Sequence, residues 1–296
     1  MKGGLRRELI GLAWVGPWII GFLAFMLVPA LMSLRSSLSD DPLLQAPLWV
    51  GMDNYARLLT DEVFHKALLN TFIYAGAAIP LSVLLAVVLA SLLNTRGLRW
   101  KRFFEAAVFV PTLAPLVASS MVWMWVLNGR YGLLNAALSV VGIDGPNWLL
   151  EKGWAMAALV LIALWGVGQA VILCVAALKE VPEQLYEAAD LDGMGPVRAF
   201  IHITLPMISP VVLFNTIAML IGAFQVFVVP FVLFQKDKGG PDKSAYFYTS
   251  YLYDNAFVFG QMGYASAMAW VQMLIILALT GLLFLASRRL VFYRAG

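Results

Sequence analysis

The stretch VPEQLYEAADLDGMGPVRAFIHITLPMISP, residues 181–210, is acidic and interrupted by Gly and Pro, yet long apolar runs flank it on both sides. Charges and irregular backbone are costly in lipid, because hydrocarbon offers them no hydrogen-bonding partners. The stretch must therefore lie at or beyond a membrane surface, where it is available to a partner.

The composition of the whole chain indicates an integral membrane protein. Of its 296 residues, 61% are hydrophobic and only 12% are charged, against about 25% charged in soluble proteins. A spanning helix needs about 20 apolar residues. Uncharged runs of that length cover residues 9–34, 67–95, 106–129, 154–178, 207–235 and 264–287. We predict an all-α membrane protein with six transmembrane helices, forming a single domain over residues 1–296, with the polar loop 179–206 between the fourth and fifth helices.

The basic residues predict the orientation of these helices. At the termini and in the even-numbered loops lie 12 of the 20 Lys and Arg residues, and such an excess marks the cytoplasmic side. We therefore expect both termini in the cytoplasm. The N-terminal apolar run follows Lys2, Arg6 and Arg7 as in a secretory signal, but it is longer than a signal's apolar core. We expect it to stay uncleaved as the first span.

The polar loop has the pattern of a short acidic helix followed by a turn. Pro182 suits the first turn of a helix, and Glu183 and Glu187 lie one turn apart on one side of it. Gly193 then ends this helix, and a second short helix through residues 200–203 leads into the fifth span. Helices that rest on a membrane surface are usually basic. An acidic helix at this position therefore favours a basic protein partner over lipid headgroups.

The spacing within this loop resembles a known signature, the EAA motif of binding-protein-dependent ABC importer permeases. The matching positions are Glu187-Ala188-Ala189, Gly193 and Ile203-Thr204-Leu205-Pro206. Other segments resemble the carbohydrate-uptake branch of that family, which includes maltose- and glycerol-phosphate-type permeases. They are Val181-Pro182, Leu185-Tyr186, Asp192-Gly193, Asp53-Asn54-Tyr55, Gly239-Gly240-Pro241, Phe257, Gly263 and Ala265-Ser266-Ala267. The resemblance covers nearly the whole chain and implies the type I ABC importer permease fold, with six spans and a cytoplasmic coupling-helix loop.

The resemblance also implies a function and a set of partners. The chain would pair with a second, unlike permease in a bacterial or archaeal cytoplasmic membrane, above a cytoplasmic ATPase dimer, and would receive a sugar from an extracytoplasmic solute-binding protein. ATP-driven movement of the loop would switch the pore between inward and outward access. The ATPase-coupling residues implied in this sequence are Glu187, Ala188, Ala189, Asp192, Gly193, Leu205 and Pro206.

The residues themselves indicate that any energy supply or catalysis lies elsewhere. No Gly directly precedes a Lys, so the phosphate-binding GxxxxGK[ST] loop is absent, and ATP and Mg²⁺ are expected on the partner ATPase rather than here. His65 and His202 lie outside any HExxH motif, and the single Cys174 cannot form a multi-cysteine metal site. We expect no catalytic residue, cofactor or metal on this chain. A self-contained secondary transporter or channel for a neutral polar solute stays the alternative, although the spans carry no carboxylate for proton coupling.

Uncharged polar and aromatic residues within the spans are candidates for the solute path. Trp165 and Gln169 are four residues apart on the fourth helix, hence on one face. The other candidates are Asn215, Gln225, Trp270 and Gln272. Each could equally form a helix–helix hydrogen bond or a packed aromatic contact, as is common in membrane bundles.

Two of the predicted outer loops contain recognisable segments. The first carries WVGMDNYARLL, residues 49–59, which could form a short helix on the outer surface. It is either a solvated connector or a contact for an extracytoplasmic partner. The third loop is rich in tyrosine at positions 246, 248, 251 and 253, which predicts a helix near the lipid headgroups.

Overall fold

The structure is a computed structural model that describes residues 2–42, 46–95, 97–234 and 239–292. Helices dominate these ranges, together with one short antiparallel pair of strands, β1 (Ser39–Asp40) and β2 (Leu48–Trp49). The α-helices are α1 (Lys2–Phe22), α2 (Val28–Ser37), α3 (Asp53–Leu58), α4 (Glu62–Leu93), α5 (Lys101–Leu113), α6 (Leu116–Val126), α7 (Leu133–Val140), α8 (Trp154–Trp165), α9 (Gly168–Lys179), α10 (Glu183–Leu191), α11 (Pro196–Ala199), α12 (Leu205–Phe224), α13 (Val228–Leu233), α14 (Tyr248–Tyr253) and α15 (Met262–Leu290). Three π-helical turns cover Leu23–Leu27, Phe200–Thr204 and Asp254–Val258.

Between four and six segments of the described chain are long and apolar enough to cross a membrane. Four of them are continuous or nearly so: Ala13–Ser37, Glu62–Leu93, Pro196–Leu233 and Met262–Arg288. Two more arise if each bent pair of helices counts as one span, α5 with α6 at 103° and α8 with α9 at 45°. The structure therefore has the multi-helix apolar architecture that the sequence predicts.

The runs 106–129 and 154–178, each expected as one helix, are both broken. The first break falls at Ala114, which has an extended backbone (φ −72°, ψ 133°). The residue before a proline avoids the helical region, and here Pro115 follows. The second break falls at Gly166, between α8 and α9. The apolar pattern predicts the burial of these runs in lipid, but it does not register the local backbone chemistry that bends them.

The chain divides into two compact units, Met1–Asp61 with Leu252–Leu274 and Glu62–Tyr251 with Ile275–Gly296. The core of the second unit forms around α4, which packs along α8, α9 and α12. Small buried side chains recur three or four residues apart along α4, and they are Ala75, Ala78, Ser82, Ala86 and Ala90. Small residues of this kind let membrane helices approach closely. They explain why α4 is the central helix of this unit.

Within the first unit, side chains of α3 hold the adjoining loop. The amide of Asn54 donates hydrogen bonds of 2.9 Å to the carbonyl oxygens of Ser37 and Ser39. Arg57 donates to Oε1 of Gln261 at 2.8 Å. The short helix that the sequence predicts in this loop is therefore confirmed, and Asn54 fastens it to the end of α2.

The tyrosine-rich segment does form a helix, α14, as the sequence predicts. Tyr246, Tyr248 and Tyr251 are buried in the protein. The ring of Tyr248 packs edge-on against Phe64, with the ring centroids 5.4 Å apart, and its backbone N–H donates to Oγ1 of Thr71 at 3.0 Å. The position of this helix near the lipid headgroups stays a prediction, but its buried tyrosines contact the protein rather than lipid.

Candidate functional site

The acidic loop begins with helix α10, whose first residue is Glu183. Pro182 precedes it with an extended backbone (φ −62°, ψ 131°), so it is the N-cap rather than a residue of the first turn. Its fixed φ and its carbonyl, which accepts the N–H of Leu185 at 3.2 Å, start the helix. The acid of Glu183 lies in the first turn, where it complements the helix dipole. The structure thus places the predicted helix within one residue of its expected start.

Helix α10 has two unlike faces. Glu187 and Ala188 are exposed, whereas Ala189 is buried and Tyr186 is half-buried against the core. Leu185 and Ala188 are exposed, so the apolar side chains of this helix are divided between the surface and the protein interior. The exposed face combines a carboxylate with small and apolar side chains, which suits a partner carrying a cation beside a shallow apolar cleft.

Gly193 ends α10 in the left-handed conformation, with φ +71°. The N–H of Met194 donates to the carbonyl of Ala189 at 2.8 Å, and the N–H of Gly193 donates to that of Asp190 at 3.1 Å. These two bonds define a Schellman motif, in which glycine avoids the strain of a Cβ atom. The helix C-cap is Asp192, whose side chain is exposed. The prediction that Gly193 stops the helix in a glycine conformation is confirmed.

The second half of the loop differs from the expected separate short helix. Residues from Pro196 run through a π-helical turn directly into α12, as one helical stretch that ends at Phe224. In the π turn the N–H of Leu205 donates to the carbonyl of Phe200. Pro206 follows and has no N–H to donate, which relaxes the α-helical register at this point. Leu205 and Pro206 therefore lie inside a continuous helix rather than at the start of one.

A direct contact joins the two halves of the loop. The hydroxyl of Tyr186 on α10 lies 2.7 Å from Oγ1 of Thr204. Thr204 is buried, at the last position of the π turn. The sequence gives no signal of this pair, because the two residues are 18 positions apart and either hydroxyl could bond within a local turn.

Two of the candidate solute-path residues, Trp165 and Gln169, line one cavity of about 250 Å³. They lie on opposite sides of the break between α8 and α9. They are therefore not on one face of a single helix as predicted, but both line the same cavity. The ring of Trp165 also packs edge-on against Trp123, with centroids 5.8 Å apart. Thr112, Ser119 and Ser120 also line this cavity.

Gln225 lines an adjoining cavity of about 320 Å³. Leu116, Ile162, Gly166 and Val229 border both cavities. Gln225 directly follows the end of α12, so three helix interruptions surround this space. In membrane transporters, interrupted helices commonly border the solute site because their free backbone groups can bind it.

The remaining candidates occupy other surroundings. Asn215 is buried on α12, and its amide donates to the carbonyl of Ala170 at 3.3 Å and to Sγ of Cys174 at 3.4 Å. These bonds tie α12 to α9, which favours the helix–helix alternative for this residue. Trp270 and Gln272 lie on α15 in the other compact unit, half-buried and buried respectively.

The sequence profile of the family described as binding-protein-dependent transport system inner membrane component matches residues 62–294. The chain belongs to this family. It is 36% identical to the probable ABC transporter permease protein YesP of Bacillus subtilis, with 98% of this chain and 94% of that protein covered. Against the lactose transport system permease protein LacF of Rhizobium radiobacter the identity is 34%, with 97% of each chain covered. The predicted membership in the importer permeases is confirmed.

Solved structures show the same fold. A chain of a bacterial ABC transporter involved in the import of the acidic polysaccharide alginate superposes on this permease with a TM-score of 0.82 at 23% identity, covering 97% of this chain and 98% of that one. A chain of a bacterial alginate ABC transporter in complex with an alginate pentasaccharide-bound periplasmic protein gives 0.81 at 22% identity, covering 98% of this chain and 97% of that one. The predicted helical membrane permease fold is therefore confirmed. The relatives are permease proteins of transport systems, not enzymes.

Some features of the permease had recognisable signals in the sequence that the apolar pattern outweighed. Pro111 and Pro115 indicate the sharp bend between α5 and α6. Gly166 and Gly168 indicate the bend between α8 and α9. Each pair falls in the middle of an apolar run, where the interruption exposes backbone groups. These residues, rather than the isolated polar side chains alone, mark the position of the cavities.

Proposed function

We propose that this chain is the membrane-spanning permease subunit of an ATP-driven importer for a sugar or a related polar solute, which a binding protein delivers to it. The observation that carries the proposal is the acidic loop: α10 presents Glu187 outward, ends in the Schellman turn at Gly193, and leads into the long helix α12. Family membership supports the importer role. The relatives named for lactose and diacetylchitobiose support a carbohydrate solute.

In this proposal residues 1–296 form one permease domain with six spans, each bent pair of helices counting as one. The loop 179–206 lies in the cytoplasm together with both termini, as the distribution of basic residues favours. Of those basic residues, Arg96 and Arg294 lie outside the described part of the chain. The membrane is the cytoplasmic membrane of a bacterium or archaeon.

The proposed partners are a second, unlike permease, a cytoplasmic ATPase dimer and an extracytoplasmic solute-binding protein. The exposed carboxylate of Glu187 would pair with a cation in a cleft of the ATPase, where a charge-assisted contact specifies the register of docking. ATP and Mg²⁺ would bind the ATPase. Closure of that dimer would displace α10 and shift the spans between inward and outward access, which requires that the ATPase bind one state better than the other.

The proposed solute path runs through the two adjoining cavities. Trp165 offers an aromatic face to the C–H patches of a sugar, and the amides of Gln169 and Gln225 offer hydrogen bonds to its hydroxyls. Trp270 and Gln272 stay candidates from the sequence alone, and the bonds of Asn215 tie α9 to α12.

Sugar uptake by cells that lack and then regain this chain tests the proposal. Uptake of one di- or oligosaccharide, from a panel that includes lactose and diacetylchitobiose, should disappear and return with the chain. That uptake should persist when an ionophore collapses the proton gradient while cellular ATP is kept constant. Uptake that instead stops with the proton gradient would support the self-contained carrier, and unchanged uptake of every sugar would contradict the carbohydrate assignment.

A further inference from the structure

The hydroxyl pair of Tyr186 and Thr204 joins the two halves of the loop across the bend at Gly193, beside the apolar packing of α10 on the core. Along the chain, the route from α10 to α12 passes through Gly193, in the left-handed conformation, and then Gly195. Glycine linkers transmit displacement poorly, because both backbone dihedrals can absorb it. The 2.7 Å contact between the two hydroxyls bypasses that route.

The position of the pair suits the transmission of movement. Its tyrosine lies on the inner face of α10, while Glu187 lies on the exposed face of the same helix. The ring of Tyr186 packs against the cluster that includes Val175 and Ile208, from α9 and α12. A displacement applied to the exposed face can therefore reach α12 through this polar contact and through the apolar packing around it.

The hydroxyl of Thr204 bonds outside its own helix. That of Thr249 does so too, donating to the carbonyl of Phe224 at 3.0 Å, whereas two other helical threonines bond locally. Thr71 donates to the carbonyl of Ala67 at 2.9 Å, and Thr216 donates to that of Val212 at 2.8 Å, each four residues earlier in its own helix. Such local bonds are the usual choice of a helical threonine. Thr204 instead directs its hydroxyl out of its helix to α10, from the end of a π turn, a feature that is frequent at functional sites.

We propose that the Tyr186–Thr204 pair is a positioning contact that makes α10 and the beginning of α12 move as one body. The inference rests on the proposed function, in which movement of α10 has to reach the fifth span. It adds two residues to the coupling machinery that act behind the docking surface, without touching the ATPase.

Hydrogen exchange on the purified full-length chain in detergent tests the tether directly. Tyr186→Phe and Thr204→Val each remove one hydroxyl at nearly constant shape, and either should speed exchange of the α10 amides by about fivefold, the value of one neutral hydrogen bond. The double variant should be no faster than either single one, because both changes break the same contact. Thr204→Ser, which keeps the hydroxyl, should restore the protection. Thr216→Val, which removes a local hydroxyl bond on α12, should leave α10 unchanged.

The same variants in membrane vesicles containing the assembled importer test the consequence. Tyr186→Phe should retain the bound ATPase and its hydrolysis rate while the solute moved per ATP falls, about fivefold for the same reason. A purely structural role would lower assembly, hydrolysis and transport in proportion. Unchanged exchange in Tyr186→Phe, or additive effects in the double variant, would overturn the tether. If the wild-type chain binds no ATPase, the proposed function fails, and the exchange data still decide whether the tether exists.

Discussion

The side-chain amide of Asn70 on α4 donates one hydrogen bond to the carbonyl of Lys243 at 2.7 Å and another to the carbonyl of Tyr246 at 2.9 Å. Asn70 is buried, and its two bonds pin the turn that follows the Gly239-Gly240-Pro241 segment. A buried acceptor that loses its donor carries the full desolvation cost. The shape of this turn therefore depends on one side chain from a distant part of the sequence.

Replacement of Asn70 by alanine should destabilise the chain by about 1–3 kcal/mol, because two carbonyls lose their donors. The apparent melting temperature in detergent measures the loss. Asn94→Ala, at the half-exposed end of the same helix, is the matched control and should have little effect. Equal melting temperatures for the two variants would show that the amide does not hold the turn.

Gly193 should be sensitive to any side chain for a backbone reason alone. An added Cβ would meet no atom within 4 Å at Gly193 or at Gly195, but only Gly193 has a positive φ. Gly193→Ala should cost about 1–2 kcal/mol, the penalty of the left-handed conformation, and Gly193→Asn less. Hydrogen exchange at Met194, whose N–H closes the Schellman turn, measures this cost. Gly195→Ala should exchange like the wild type; a similar effect in both variants would remove the conformational argument.

Gly168 is sensitive for a different reason, the close approach of α5 to α9. An added Cβ would overlap the carbonyl oxygen of Val108 and lie 2.9 Å from Cγ2 of Thr112. Gly168→Ala should therefore destabilise the bundle by about 1–3 kcal/mol through overpacking. At Gly76, inside α4, an added Cβ would meet nothing within 4 Å. Gly76→Ala should stabilise the chain slightly, by about 0.4–1 kcal/mol. The melting temperature should therefore fall for Gly168→Ala and rise for Gly76→Ala.

The sequence predicts a structural feature well when that feature depends on residues that are close together in the chain. Gly193 was predictable because a helix end and a positive φ are properties of a few neighbouring residues. The outward position of Glu187 follows equally from helical spacing. Both features belong to the part of the loop where one short helix decides the geometry.

Features that depend on distant partners were not predictable in the same way. The buried ring of Tyr248 suits a membrane interface as well as a core, and only its contacts with Phe64 and Thr71 decide between the two. The continuity of α12 with the π turn depends on how the helix adjusts to Pro206. The break at Ala114 did have a local signal in Pro115, which the apolar run obscured.

The ion pair of Lys152 and Asp242, with Nζ and Oδ2 2.8 Å apart, should depend on pH and salt in a defined direction. The hydrogen bond and charge of Lys152 lower the pKa of Asp242, and Asp242 raises the pKa of Lys152 in return. The contribution of Asp242 to the stability of the folded chain is present above its ordinary pKa of about 3.9, and it is lost as the pH falls through the lowered pKa of the folded state. That of Lys152 is present below about pH 10.4 and is lost as the pH rises through its raised value.

Comparison of Asp242→Asn with the wild type measures this pair. Because both side chains are well exposed, the stability difference at neutral pH should be small at low salt and vanish at about 1 M salt, where screening is nearly complete. It should also vanish at acid pH, where Asp242 is protonated. A difference that survives high salt would mean that Asp242 acts through the backbone of its turn rather than through its charge.

The measurement that tests the central claim most directly is co-purification of the tagged chain in mild detergent, with the accompanying subunits identified by mass spectrometry. The wild type should retain an ATPase and a second permease. Glu187→Lys reverses the exposed charge on α10 and should lose the ATPase while keeping the second permease, with Glu187→Gln intermediate. Asp144→Lys makes the same change of net charge at an exposed position outside the loop and should behave like the wild type. Full retention of the ATPase by Glu187→Lys would contradict the assignment of α10 as the coupling helix.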